Sequence, residues 1–415
     1  MKKILLIFSI SLITLLLSCK DDELLIDEVL EVTENSIKSG VLTSNQTWSS
    51  DTIYILQNRV IVPDGITLTI EAGTLIKGKE GQGAEASVLI VAQGGKIQAL
   101  GTSSNPIIFT SILDELEVGS IVGTLSGEDK ELWGGIIILG KAPISAASGD
   151  TESLIEGLPA DESYGKYGGF DSKDNSGILE YVSIRHGGII IGEGNEINGL
   201  TLGGVGSGTT INNVEIYATK DDGIELFGGS VNINNLIVSY QGDDGIDIDQ
   251  NYEGMIENFV VLHGGSDTDE GLEIDGPENS TYKNGLFNLK NGLCRSLGGI
   301  TPGTPADLKA KAQGGLSNII FDYGTNNILK IRASYNSTSD CSKTSDAFSN
   351  LLDLKLIIAY SLFDSIAVYS NTSGCDATIF NQDEAASHAV PFPTATGANI
   401  SVFKDWTLAS ATSIL

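Results

Sequence analysis

Three stretches of the chain repeat one order of apolar and polar positions: TTINNVEIYATKDDGIELFGG, VNINNLIVSYQGDDGIDIDQN and GMIENFVVLHGGSDTDEGLEIDG. Each has an isoleucine, an asparagine two residues later, alternating apolar residues, and then an acidic group. The asparagines are Asn213, Asn235 and Asn258, with Asn284 next in the series, at spacings of 22, 23 and 26 residues. A period of 20 to 30 residues built of short alternating pieces is the mark of a solenoid. Val214–Tyr217 and Ile224–Phe227 read as strands, and no stretch of ten or more residues has helical spacing. Without crossover helices the coils must stack strand upon strand, so the pattern predicts an all-β chain wound as a parallel β-helix. The asparagines would then form a side-chain ladder inside a turn, each amide bonded to the next coil.

The same grammar extends outward. TLTIEAGTLIKGK, SVLIVAQGGKIQALG, LWGGIIILG and ILEYVSIRHGG precede the repeats, and LSNIIFDYGTNNILKIRAS and DLKLIIAYSLFDSIAVYS follow them. Polar interruptions at 113–130, 145–176, 295–315 and 335–352 read as projecting loops. The resulting division is a β-helix over 41–372 and a C-terminal cap region over 373–415, which would cover an otherwise open edge.

Composition narrows the partners. The 415 residues hold 50 glycines, and 24 Lys+Arg against 54 Asp+Glu give a net charge of −30. That sign repels nucleic acid phosphates and an anionic membrane surface. Of the cysteines after residue 19, Cys294, Cys341 and Cys375, at most one pair can form. The polar segments around Cys341 and Cys375 favour those two.

Much of the charge is concentrated in the repeats. QGDDGIDIDQN places Asp243, Asp244, Asp247 and Asp249 within seven residues, with no Lys or Arg among them. The strand alternation turns Ile224, Leu226, Ile246, Ile248, Leu272 and Ile274 inward. The outward columns are then Glu225/Asp247/Glu273 and Phe227/Asp249/Asp275, with Asp221/Asp243/Asp269 and Asp222/Asp244/Glu270 at the preceding turn. Coils lie about 4.8 Å apart, and carboxylates at that distance repel by roughly 1 kcal/mol in water and more when shielded. Protons or a cation between them would relieve this, and Ca²⁺ suits an all-oxygen set. Asp221, Glu225, Asp243, Asp247, Asp249, Asp269, Glu273 and Asp275 are the candidate ligands. The alternative is a solvated acidic face. Arg185, His186, His263 and Glu270, beside the column, are candidate ligand-binding residues, although each histidine is followed by Gly-Gly and also reads as a turn residue.

The N-terminus has two lysines and an apolar run from Ile4 to Leu17, too short to span a bilayer comfortably, ending in Leu16-Leu17-Ser18-Cys19. It resembles a lipoprotein signal, which implies a signal peptide over 1–18 and a lipidated Cys19. Lys20-Asp21-Asp22-Glu23 resembles the acidic export signal of Bacteroidota surface lipoproteins, so 19–40 reads as an acidic tether. The words GGKIQALGTSSNPIIFTS, LWGGIIILGKAP, EGNEINGLTLGGVGSGTTI and GDDGIDIDQ resemble a family of exported Bacteroidota right-handed parallel β-helices of pectin-lyase-like fold. That resemblance covers nearly the whole mature chain and implies fold and location, namely the outer membrane and cell surface.

GDDGIDI also resembles the G-D-D motif of polygalacturonases. The match implies Asp222, Asp243 and Asp244 as an acidic catalytic trio if the chain is an enzyme. It stops there, because Glu270 stands where that family has a histidine, His263 comes too early, and Lys330-Ile331-Arg332 reverses its later basic motif. The expectation is a surface lipoprotein that binds an extracellular glycan or a partner of a nutrient-import transporter complex, with a membrane contact through the lipid alone. A polysaccharide hydrolase or lyase and a structural or adhesive surface protein are the alternatives.

Overall fold

The computed structural model describes residues 36–415, apart from 157, 159–162, 193–194, 266, 299–302, 338–339, 372–373 and 377–378. The expected signal peptide, Cys19 and nearly all of the acidic tether lie outside the described residues. The described residues form one compact unit. Among the described residues no helix is long and apolar enough to cross a membrane.

The coils are those the repeats predict, a right-handed parallel β-helix. One face consists of strands in parallel register, the short Leu200–Gly203, Ile224–Phe227, Ile246–Asp249, Leu272–Ile274 and Ala306–Leu308 and then the ten-residue Ile328–Ser337. Longer strands, such as Thr210–Tyr217, Asn232–Ser239 and Met255–His263, supply the other two faces. Each of these bends in its middle at a residue with left-handed backbone: Asn213 (φ 55), Asn235 (φ 57) and Asn258 (φ 58). Asparagine tolerates that conformation better than most side chains, which is why it recurs at the bend.

Its amide is used as well. Asn235 Nδ2 donates to Asn213 Oδ1 at 3.0 Å and Asn258 Nδ2 to Asn235 Oδ1 at 2.7 Å, forming the expected ladder. The series does not continue at Asn284, which lies in an exposed loop. It resumes at Asn291 (φ 58) and Asn318 (φ 53), joined at 2.7 Å, because that loop lengthens one coil and shifts the spacing.

Inside, like side chains stack on like. Ile211, Ile233, Ile256, Leu289 and Leu316 form one buried column in register, and Ile224, Ile246 and Leu272 another. Where Phe259 is too large for an equal neighbour, the next coil has Gly292, whose Cβ would lie 2.2 Å from the ring. Three expected loops hold hidden structure: 145–176 contains the strands Glu152–Leu154 and Lys166–Gly168, 295–315 the strand Ala306–Leu308, and 335–352 the strand Asp340–Thr344 and the helix Ala347–Leu352. A disulfide joins Cys341 and Cys375, and Cys294 is free and buried.

The C-terminal region does more than cover an end. The helix Gln382–His388 packs on Ala347–Leu352 and on the strand Ser365–Asn371. Beyond it the chain runs back along the coils. Thr396 and Gly397 bond to Asn318 at 2.8 and 3.3 Å, Asn399 to Asn258 at 2.6 Å, and the backbone amides of Leu408 and Ala409 to Glu215, both at 2.9 Å. Trp406 is fully buried edge-on to Tyr181, with Ile237, Val260 and Leu293 around it.

Candidate functional site

The outward columns stand as the alternation predicts, and each is longer than the sequence suggested. The first runs Thr201, Glu225, Asp247, Glu273, Asp307, Lys330. The second runs Phe227, Asp249, then Asp275, Lys309, Arg332 and Tyr369 on successive coils. At the turn before them stack Asn198, Asp222, Asp244, Glu270 and Thr304, joined by backbone bonds from Gly199, Gly223, Gly245 and Gly271. Here the carboxylates stitch one coil to the next. Asp222 Oδ1 accepts from the Asp244 amide at 2.9 Å, and Asp244 Oδ1 from the Glu270 amide at 2.6 Å.

A ribbon from the 145–176 interruption roofs the middle of this face. Its strands Glu152–Leu154 and Lys166–Gly168 pair antiparallel, Ser145 donates to the Gln250 carbonyl at 2.9 Å, and the Tyr167 hydroxyl bonds Gln250 Oε1 at 3.1 Å. Tyr167 packs on Phe227 at 5.9 Å between centroids. Asp222, Glu225, Asp244, Asp247 and Glu270 are buried, while Asp243 and Asp269 are exposed.

The face divides electrostatically. In its C-terminal half every buried acid has a cation: Lys330 Nζ meets Glu270 Oε1 at 2.6 Å, Lys309 bonds Glu273, and Arg332 Nε reaches both Asp307 oxygens at 2.9 and 3.0 Å. Burial works to raise the Glu270 carboxyl, yet the hydrogen bonds from Lys330, Asp269 and Thr304 outweigh it and hold it below its ordinary value. Among the described residues the N-terminal half has no such partners. Burial first, then the neighbouring acids, pushes Asp222, Glu225 and Asp247 well above the usual carboxylate range. Asp244 goes up to about 11 from burial and Asp222, and Asp249 to about 7 from burial and Asp275. Toward the paired half, Asp275 rises only to about 6, burial being opposed by Lys309.

Of the expected calcium ligands, Glu225 and Asp247 come together with Asp222, their oxygens all within 4.8 Å of one another. Asp221 and Asp243 form a second, more open group with Asp222, and Glu273 a third with Asp244 and Glu270. Asp249, Asp269 and Asp275 join no such group among the described residues. The first group has a neighbour that the sequence reading missed: Asn198 donates to Glu225 Oε2 at 2.5 Å while its own Oδ1 is buried without a partner. Asp247 Oδ1 is equally unpartnered. Three carboxylates and an amide oxygen are hard donors of the kind Ca²⁺ takes.

The expected ligand-binding residues need correction. Arg185 and His186 are fully buried. Arg185 bonds Ser183 and the Ile121 carbonyl and lies 3.6 Å from Glu215, the residue that anchors the C-terminal strap; His186 Nδ1 faces the Asp129 carbonyl at 2.7 Å. His263 is buried against Tyr323. Glu270 is committed to Lys330 and Thr304. Long loops fold over these positions, which no local pattern announced. The cations were also underestimated: Lys330 and Arg332, displaced in sequence, stack directly beside the acids. Asp307 and Lys309 went unread because ADLK sits within a polar stretch, its Ala306/Leu308 alternation being the one signal available.

Within the polygalacturonase-like trio, Asp222 and Asp244 are buried and bonded to backbone, and Asp243 alone is exposed. None of the curated proteins matches the chain. A crystal structure of the pectin methylesterase from Aspergillus niger is similar at 10% identity, over 90% of this chain and 97% of that one, with a TM-score of 0.28, a likeness too slight to carry an argument. The model of the pectate-lyase-like β-helix domain, by contrast, matches residues 40–347, well over half of the chain, with the coils just described. The chain therefore belongs to the pectate-lyase-like β-helix domain family.

Proposed function

We propose that this chain is an exported surface lipoprotein, anchored through Cys19 at the outer membrane, that binds an extracellular glycan and whose acidic face is organised by a bound Ca²⁺ ion. A nutrient-import complex is the natural setting for such a protein. The observation that carries the calcium part of the reading is the group Asp222, Glu225 and Asp247: buried, within 4.8 Å of one another, and without a basic side chain against it among the described residues. Burying three carboxylates without counter-charge is costly. A cation held by these three, with the unpartnered Asp247 Oδ1 and Asn198 Oδ1 turned to use, relieves that cost. The ion's part is charge compensation, and the chain's part is to hold the coils and the roofing ribbon around it.

Binding is favoured over cleavage because a general acid must reach its substrate. Asp222 and Asp244 are instead covered and occupied by amides of the next coil.

The test is a thermal melt with chelator and then with excess Ca²⁺, beside a direct Ca²⁺ titration. A ligand held only by the folded state stabilises it by mass action, so the midpoint should fall and recover. Asp247→Asn should abolish the response. A melt indifferent to chelator and to Ca²⁺ would refute the ion and leave a protonated acidic cluster in its place.

A further inference from the structure

Phe170 is 82% exposed, the most of any large apolar side chain among the described residues, although the turn that carries it is tightly fixed. The Asp171 amide donates to the Lys141 carbonyl at 2.8 Å and the Gly168 amide to the Gly140 carbonyl at 3.0 Å. Gln93 Nε2 clamps both sides, reaching the Gly140 and Gly168 carbonyls at 2.7 and 2.8 Å. Gly168 (φ 91) and Gly169 (φ 149) take backbone conformations that let the chain reverse there. The inner side of the ribbon has its apolar contact in Tyr167 on Phe227, so Phe170 is not needed to hold the ribbon down. A rigid turn that presents an aromatic ring to water is a preorganised contact.

The ring borders a shallow, wide-open cleft of about 510 Å³ whose other side chains are Gln93, Lys141, Glu152 and Asp171. Glu152 also lines an adjoining cleft of about 550 Å³ that includes half-exposed Leu154. These volumes suit a small ligand or a few units of a chain molecule. The rim offers one ammonium and two carboxylates, with Lys166 bonded to Glu152 at 2.8 Å, so local charge is balanced. Donors and acceptors around an apolar ring match a pyranose, which has one face of C–H groups and an edge of hydroxyls. Balanced charge on a chain of −30 gives a polyuronate no advantage.

We propose that this cleft binds a neutral sugar unit of an extracellular glycan, stacked on Phe170 and hydrogen-bonded at its edge by Lys141, Glu152 and Asp171. The inference rests on the glycan-binding reading above and gives it a place, outside the acidic columns.

The experiment is affinity gel electrophoresis of the full chain in galactomannan, mixed-linkage β-glucan, arabinoxylan and polygalacturonate, followed by calorimetry on the polysaccharide that retards it. Phe170→Ala should weaken binding at least tenfold, Phe170→Trp should keep it, and the melting midpoint of both should stay at the wild-type value because the ring is exposed. Phe170→Ala binding as tightly as wild type would overturn this site and leave the glycan reading standing. Retardation by polygalacturonate in preference to the neutral polymers would overturn the sugar class. A wild type retarded by none of the four would overturn the site together with the glycan reading, while the calcium melt reports on the ion separately.

Discussion

Replacing Lys330 by methionine tests the electrostatic division of the acidic face at its best-defined point. The Glu270 side chain is 3% exposed and meets the Lys330 ammonium at 2.6 Å, while that lysine is 21% exposed. Lys330→Met keeps most of the aliphatic stem and leaves a buried carboxylate without its cation. Breaking a buried pair from one side costs about 3–5 kcal/mol. Two features reduce that here: the lysine is partly solvated, and Thr304 Oγ1 still donates to Glu270 at 2.8 Å. A loss of about 2–4 kcal/mol at pH 8 is expected. The sign with pH follows from the direction of the shift. The Glu270 carboxyl is held below its ordinary value, so the pair's stabilisation is present above the unfolded value of 4.5 and is lost as pH falls through the folded one. In the variant Glu270 can take a proton instead, so the deficit should be smaller at pH 4 than at pH 8. Urea unfolding of both proteins from pH 4 to 8 measures this, and Glu270→Gln added to Lys330→Met should recover most of the loss. A deficit equal at pH 4 and pH 8, or no deficit at pH 8, would refute the reasoning.

Two further outcomes can be measured the same way. Asp275→Asn should stabilise the protein by about 1–2 kcal/mol above pH 6 and by nothing below about pH 4. Burial raises that carboxyl to about 6, so the wild type loses stability as pH climbs from the unfolded 3.8 through that value, and a pH-independent effect would exclude this. Asn258→Ala should cost about 2–3 kcal/mol, since it removes the bonds to Asn235 and Asn399 and leaves alanine at φ 58; a loss under 0.5 kcal/mol, read by denaturant midpoint, would show the ladder to be dispensable.

The coil was legible because a solenoid writes its fold locally. Alternation puts Ile224, Ile246 and Leu272 inward whatever the remainder of the chain does, and parallel register then stacks Glu225, Asp247 and Glu273 outward. A left-handed bend required once per turn selects asparagine and so prints the period. What lies across the coils was not legible, because it depends on contacts between residues far apart in sequence. The ribbon that carries Tyr167 lies over Phe227 and Gln250 beside the acidic columns, and nothing in QGDDGIDIDQN encodes that roof. Lys330 neutralises Glu270 from 60 residues away only because two coils bring them together. Arg185 reads as a candidate ligand-binding residue and Glu215 carries no reading, because the strap that bonds Glu215 comes from Leu408, 193 residues away. Periodicity fixes which way a side chain points. Whether it then meets water, a cation or another carboxylate is decided by loops that obey no period.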